Sequence, residues 1–506
     1  MKRITTLLLA AIFMVSGAVA GHAESNIDVK VKGQWDFVFG WAQNTQHFKK
    51  TTRKDDNGIA AQRVRTQVNF ITSENLQAVL QFEIGDVHWG NKKQGGARGT
   101  DGINVETKHA YLDWMVPTTD LHIRMGLQAL ALPMATGLGS PIFDDDVAAV
   151  VANYKFDDTF SVTAFWARPY NYRLNDHKND DGSKYKDDVK DYEYGKNRHI
   201  DDEMDMFGLI APISLDGVTI TPWGVWANIG DASGFYQDLF DVSMTKDKIA
   251  AKENARTTAW WAGLGVAVDL WDPLTFAVDA MYGHMQATNF NTFTLSTPIL
   301  FDDPVLAVPG EDGRVGAKGW FIAANLDYKL DWGTPGIFGW YATGDDYKDV
   351  RDHSMLGRMP VMTQSSGFHP TSFGFDGGFG ISSDQVIGYS GTGMWGIGLQ
   401  VADMSFIEDL THTIRFAYMQ GTNDHKIVRK GMHDDVTFDG DFYLTDKDSA
   451  FEINFDHKYQ IYENLAAVVE LGYINMDLDR KTWRGYEGEN KTDDAWKAQL
   501  SFQYKF

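Results

Sequence analysis

The last eleven residues alternate without a break. Trp496, Ala498, Leu500, Phe502, Tyr504 and Phe506 fall on one face, and Lys497, Gln499, Ser501, Gln503 and Lys505 on the other. Side chains of a strand point to opposite faces with period two. An apolar face that runs to a terminal aromatic fits a strand with lipid on one side and water on the other.

The same rhythm recurs along the chain. Val29, Val31, Trp35, Phe37, Phe39 and Trp41 alternate with Lys30, Lys32, Gln34 and Asp36. Val64, Thr66, Val68 and Phe70 alternate with Arg63, Arg65, Gln67 and Asn69, and Leu121, Ile123, Met125 and Leu127 with His122, Arg124 and Gln128. Later examples are Leu274 to Tyr282, Trp320 to Leu330, Ile414 to Tyr418 and Leu465 to Tyr473. Runs of roughly ten residues match a tilted strand crossing a bilayer.

Connections alternate between short and long. Short ones lie near 73–75, 117, 157–158, 215–217, 271–273, 331–333, 408–409 and 462–464. Long ones lie near 43–60, 87–104, 129–146, 169–201, 230–255, 288–316, 345–390, 422–448 and 477–492. Turns on one side and long loops on the other predict a closed antiparallel transmembrane β-barrel, all-β, with turns facing the periplasm. Nine long loops give 18 strands; sixteen is the alternative, since 202–229 and 334–404 are weakly periodic.

At the start, Lys2 and Arg3 precede the apolar run Leu7 to Ala20, and Gly21-His22-Ala23 ends on a small residue. This predicts a signal peptide over 1–23, cleaved after Ala23, and a single barrel domain over 24–506. Cysteine is absent, which excludes disulfides, thiol nucleophiles and thiolate metal sites. The net charge of −23 becomes −25 once Lys2 and Arg3 leave, which argues against nucleic-acid binding. Abundant glycine and aromatics (49 Gly, 16 Trp, 20 Tyr, 31 Phe) suit a curved sheet with aromatic girdles.

The third long connection, Ala129 to Asp146, is apolar and glycine-rich before it ends on Asp144, Asp145 and Asp146. An apolar loop exposed to water is costly, so this one is expected to fold into the lumen against the inner wall. The other long loops read as largely polar and acidic. Among them, 176–205 reads as a solvated, self-repelling surface rather than a cation site, because no complete calcium-loop spacing is present.

This arrangement resembles the trimeric general porins, whose third loop folds inward after the fifth strand and sets acids against a basic wall. The stretch from Leu127 through Asp146 to Pro169 looks most like the homotrimeric porins of sulfate-reducing bacteria. The Pro-Glu-Phe-Gly-Gly type motif of enterobacterial porins is missing. The resemblance implies an outer-membrane pore for passive diffusion of small hydrophilic solutes and ions. It implies a constriction with a basic wall of Lys32, Arg63, Arg65 and Arg124 facing Asp144, Asp145 and Asp146. It further implies a homotrimer in contact with outer-membrane lipids and lipopolysaccharide, and a terminal signal of Phe502, Tyr504 and Phe506 read by the barrel-assembly machinery. Opposed charges across a narrow gap would select solutes without tight binding.

Two rivals remain. A solute-specific channel for sugars or carboxylates would use the same barrel. A barrel enzyme would need a base such as His109, His122 or His284 beside a nucleophile. The glycine pattern at Gly391, Gly393 and Gly396 matches a dinucleotide fingerprint only in letters. Scattered histidines and missing motifs predict no cofactor, no metal site and no enzymatic activity.

Overall fold

A computed structural model describes residues 27–45, 56–99, 105–171, 203–230, 233–235, 256–290, 313–351, 355–362, 367–375, 379, 387–388, 390–431, 444–483 and 494–506. The expected signal peptide lies outside the described residues, as do most of the acidic segment 176–205 and parts of several other loops.

Eighteen antiparallel strands close on themselves. They are β1 (Asp28–Gln43), β2 (Asp56–Ser73), β3 (Leu76–His88), β4 (Val105–Met115), β5 (Leu121–Ala131), β6 (Asp144–Lys155), β7 (Ser161–Asn171) and the two-piece β8 (Glu203–Ile210, Ile213–Leu215). There follow β9 (Val218–Ile229), β10 (Thr257–Trp271), β11 (Leu274–Phe290), β12 (Gly313–Tyr328) and β13 (Thr334–Ala342). The last five are β14 (Met394–Ile407), β15 (Leu410–Gly421), β16 (Ser449–Tyr462), β17 (Leu465–Asp477) and β18 (Ala495–Lys505). Each pairs with its neighbours in sequence, and β1 closes the ring by pairing with both β2 and β18.

The two pieces of β8 are one strand. Both keep the same register against β9 (Trp223 opposite Ile210, Ile220 opposite Ile213), with Ala211 and Pro212 between them. Proline has no N–H for the ladder, so the strand is interrupted there without slipping. The weak periodicity of 202–229 comes from this break. That of 334–404 comes from the long loop between β13 and β14.

The outward face is apolar and banded. Phe207 packs on Trp226, Trp260 on Tyr282, and Tyr282 on Trp320, around the long-loop end. At the turn end lie Phe156, Trp271, Phe406 and Tyr462, all exposed. Trp320 and Tyr328, Phe451 and Tyr459, and Trp496 and Tyr504 are exposed pairs eight residues apart on single strands. At ~3.3 Å per residue and a tilt of ~40°, eight residues climb roughly 20 Å, close to the ~25 Å apolar band of such barrels. No described helix is long and apolar enough to cross a membrane.

The C-terminal strand has the faces its sequence predicts. Lys497, Gln499 and Ser501 are buried on the lumen side, while Trp496, Tyr504 and Phe506 are exposed. The ladder runs to the last residue: Gly33 N–H donates to Phe506 O (2.8 Å), and Phe506 N–H to Gly33 O (3.0 Å). A Cβ on Gly33 would stand 2.5 Å from the Phe506 ring, so glycine is what lets the terminal aromatic lie flat on the wall.

Candidate functional site

Two loops enter the lumen. The third long loop is shorter than expected. β5 continues to Ala131 and β6 begins at Asp144, leaving 132–143 as the loop, here called L3. Leu132, Ile142 and Phe143 are buried. L3 reaches across to β11, where the buried carboxylate of Asp279 accepts Ala135 N–H and Thr136 N–H, each at 2.8 Å. L3 therefore folds inward as its composition predicts.

The loop between β13 and β14 (343–393, L7) also enters the lumen, contrary to its expected polar, external character. Its described part buries Met359, Val361, Met362, Phe368, Phe373, Phe375 and Ile387. L7 pairs with L3 in a strand-like way: His369 N–H donates to Leu138 O (2.8 Å), Gly367 N–H to Ser140 O (2.9 Å) and Met362 N–H to Ile142 O (3.1 Å). Trp261 of β10 donates its indole N–H to Pro360 O at 2.7 Å. The signal for this inward course is in the sequence, in Met359-Pro360-Val361-Met362 and the aromatic run Phe368 to Phe375.

The far end of L7 is tethered to β16 and β18. Fully buried Glu452 accepts Thr371 Oγ1–H (2.9 Å), Gly374 N–H (3.1 Å) and Asn454 Nδ2–H (2.8 Å). Lys497 donates to Ser372 O, lies 5.6 Å over the Phe373 ring and pairs with Glu470 at 3.4 Å. A charge buried in this way is stable only with such partners. Lys497, read from sequence only as part of a polar face, is thus one of the residues that hold the loop.

L7 sits on a wall of β7 to β14 with a repeated device. Phe165, Trp223, Trp261, Phe338 and Trp340 each lie directly opposite a glycine of the next strand, at Gly208, Gly263, Gly283, Gly398 and Gly396. A Cβ at each glycine would come within 2.1 to 2.6 Å of that ring. The ring lies flat over the bare backbone, and the loops have a smooth surface to pack on. Burying a large aromatic contributes ~1.5–3 kcal/mol.

The wall of β1 to β6 is different. Arg63 lies 3.9 Å from Asp36 and 3.8 Å from Asp86, with its guanidinium 4.4 Å from the Phe379 ring of L7. Arg65 bonds Glu83 at 2.5 Å. Asn69 donates to Gln77 (3.0 Å), Gln77 to Asp113 (3.3 Å), and Asp113 receives Arg124 (3.2 Å) and His122. Arg124 also stacks over Tyr111 at 4.7 Å. Lys32 is exposed toward the turn end of this wall.

The expected basic residues thus share one wall, but the expected opposing acids do not face them. Asp144, Asp145 and Asp146 are the first three residues of β6 rather than the end of the loop. Asp146 bonds Lys108 and His109 (2.7 Å to the latter), both on β4. Asp144 abuts Gly367 of L7. Arg63, Arg65 and Arg124 instead pair with acids of adjacent strands, because inward positions on neighbouring strands stand only about 5 Å apart. Of the three histidines considered as bases, His109 and His122 meet carboxylates and His284 stacks on Trp260 at 6.0 Å.

Among the described residues, Asp424, His425 and Asp446 bring three metal-ligand-type atoms within 4.8 Å of one another. Asp424 Oδ1 accepts Lys426 N–H at the start of a short helix, and His425 bonds Asp446 at 2.8 Å. All three groups thus have structural partners in the loop.

No family model and no curated protein matches the sequence. Among solved structures, the fold is similar to Pseudomonas aeruginosa OpdL (10% identity, covering 95% of this chain and 99% of that one, TM-score 0.49). It is also similar to P. aeruginosa OccK5 (OpdH; 12% identity, 95% and 98% covered, TM-score 0.48) and to OpdK with vanillate (9% identity, 95% and 98% covered, TM-score 0.47). With such low identities and scores, the architecture rests on the barrel's own hydrogen-bonded ladder.

Proposed function

We propose that the chain is an outer-membrane channel for passive passage of small hydrophilic solutes, with its aqueous path along the β1 to β6 wall. The observation that carries this is the division of the lumen. L3 and L7 pack on β7 to β14 and are tethered at Asp279 and Glu452, while the opposite wall, touched by L7 at Arg63, keeps a partly open row of guanidiniums, carboxylates and amides. Charged rows along a narrow lumen select by charge and size without tight binding.

Two inward loops favour a solute-selective channel over a wide general porin. In this reading Arg63, Arg65 and Arg124 set the local potential with Asp36, Glu83 and Asp113. Asp144 to Asp146 act at the L3 junction, and Lys32 acts near the periplasmic mouth. The homotrimeric assembly of the porins of sulfate-reducing bacteria is proposed as well, together with recognition of Phe502, Tyr504 and Phe506 by the assembly machinery.

Single-channel recording in planar bilayers tests the channel. Small, solute-blockable conductance whose reversal potential moves in R63A/R65A supports the selective reading. Large, non-saturating conductance would restore the general porin, and silence from a folded barrel would defeat both. Native mass spectrometry would show whether the assembly is a trimer.

A further inference from the structure

The turn-side girdle carries two histidines that the channel does not use. His412 lies on β15 and His457 on β16, directly opposite in register. Along β15 the inward positions are Arg415, Ala417 and Met419, while Phe416 and Tyr418 are exposed on the outside. Along β16 Glu452 and Asn454 point inward, while Phe451, Phe455 and Tyr459 are exposed outside. The alternation puts both imidazoles on the outer face. His412 stands three residues from the Glu408-Asp409 turn and His457 five residues before Tyr462 at the next turn, at the level where side chains meet both water and headgroups.

Their Nδ1 atoms are 2.6 Å apart. The Phe455 ring, 4.1 Å from that of His457 and 6.2 Å from that of His412, holds both in place. No carboxylate pairs with either one among the described residues. Two nitrogen donors therefore converge on one point from rigid neighbouring strands.

We propose that His412 and His457 form a chelating site for a borderline divalent transition metal such as Zn²⁺, Ni²⁺ or Cu²⁺, with water or a headgroup oxygen completing the shell. With metal–nitrogen bonds of ~2.0–2.1 Å, a tetrahedral ion spans its two nitrogens by about 3.4 Å. The imidazoles would have to part by less than about 1 Å to admit it, a small rotation about χ1 and χ2. Imidazole pairs suit these ions, whereas Mg²⁺ and Ca²⁺ seek oxygen. The inference is independent of the channel reading, since the site lies outside the lumen.

The test is Cu²⁺ titration of the tag-free mature barrel in detergent micelles, read by electron paramagnetic resonance. The wild type should show one site with hyperfine structure from two imidazole nitrogens. His412→Phe and His457→Phe should each lower affinity by at least the roughly 10–100-fold that loss of a supporting group costs at metal sites. Each should also reduce the pattern to one nitrogen, while His425→Ala, at the loop cluster, leaves both unchanged. Heat-modifiable gel mobility reports that each variant is folded. Wild-type affinity surviving in both folded phenylalanine variants, or a wild-type spectrum without two nitrogens, overturns the site and leaves a hydrogen-bonded pair. Conductance of the same preparations reports on the channel separately.

Discussion

The two halves of the barrel interior solve different problems with the same alternating strand. On β7 to β14 most inward positions are aromatic, methionine, glycine or small, with Asp279 as the charged anchor of L3, and two loops cover them. On β1 to β5 the middle and turn-side positions are largely charged or amide-bearing and much of that row is half-open, while apolar residues such as Val38, Ala61 and Leu130 close it toward the long-loop end. Packing energy grows with apolar area removed from water, whereas partly exposed ion pairs are typically worth 0–1 kcal/mol. The difference teaches that stability and selectivity are carried by opposite walls. A substitution on the covered wall should cost folding, and one on the open wall should change what passes.

The largest expected effect is on the covered wall. Gly263→Val and Gly396→Val would drive side-chain atoms into Trp223 and Trp340, whose rings lie 2.4 and 2.3 Å from the Cβ positions. Overpacking of this kind costs ~1–3 kcal/mol per site. The two sites sit on different strand pairs, so the costs should nearly add. Urea unfolding followed by heat-modifiable mobility should show the double variant several kcal/mol less stable. An unchanged midpoint would mean that the aromatic–glycine pairs are not what holds this wall.

Next comes the anchor of L3. Asp279→Ala leaves Ala135 N–H and Thr136 N–H without their acceptor, at ~1–3 kcal/mol per unpaired buried donor, but water entering the space the carboxylate vacates next to the aqueous lumen offsets part of that cost. The expected outcome is a loosened L3, with higher and noisier single-channel conductance and a smaller loss of stability than the glycine variants. Conductance indistinguishable from wild type would show that L3 stays seated on its apolar contacts alone.

Most of this architecture was legible in the sequence because it depends on local period. Alternation from Val29 to Trp41 and from Trp496 to Phe506, the sorting of loop lengths and the apolar Leu130 to Phe143 stretch each report on nearby residues. What escaped depends on register across the sheet. Nothing local says that Trp223 faces Gly263, that Asp146 meets Lys108 and His109 rather than Arg63, or that His412 meets His457. L7 was partly legible. Its Met359 to Phe375 stretch carries six hydrophobic side chains, as many as L3, but they are spread over a longer run with polar interruptions and acidic ends that mask them.

On the open wall, Arg124→Ala removes a partly exposed pair with Asp113 and a stacking contact with Tyr111. Stability should fall by no more than about 1 kcal/mol. Asp113 would be left with His122 and the Gln77 amide but no guanidinium beside it, so the reversal potential should shift toward cations. A stability loss as large as that of the glycine variants, with unchanged selectivity, would break the contrast between the walls.

The smallest effect tests how L7 enters the covered half from solvent. Its outer root joins the loops after β15 and β17: Asp424 N–H donates to Asp345 O (2.9 Å), and Asp479 N–H to the buried Asp448 carboxylate (2.8 Å). Burial pushes the Asp448 carboxyl above the usual carboxylate range. Bonds from the Thr482 hydroxyl and backbone N–H hold Asp479 below it. A raised carboxyl contributes stability that is present below its unfolded pKa near 3.8 and is lost as pH rises through its folded value. A lowered one contributes stability present above 3.8 that is lost as pH falls through its folded value. Loop protection should therefore rise slightly as pH drops from neutral toward 4 and decline below that. Hydrogen exchange of 444–483 across this window is the measurement. Asp448→Asn should flatten the upper limb and Asp479→Asn the lower one, with the covered wall itself unchanged. If protection of Trp261 and its neighbours on β10 followed the same pH profile, the root of L7 and the wall beneath it would be one cooperative unit, and the division between rim and wall would fail.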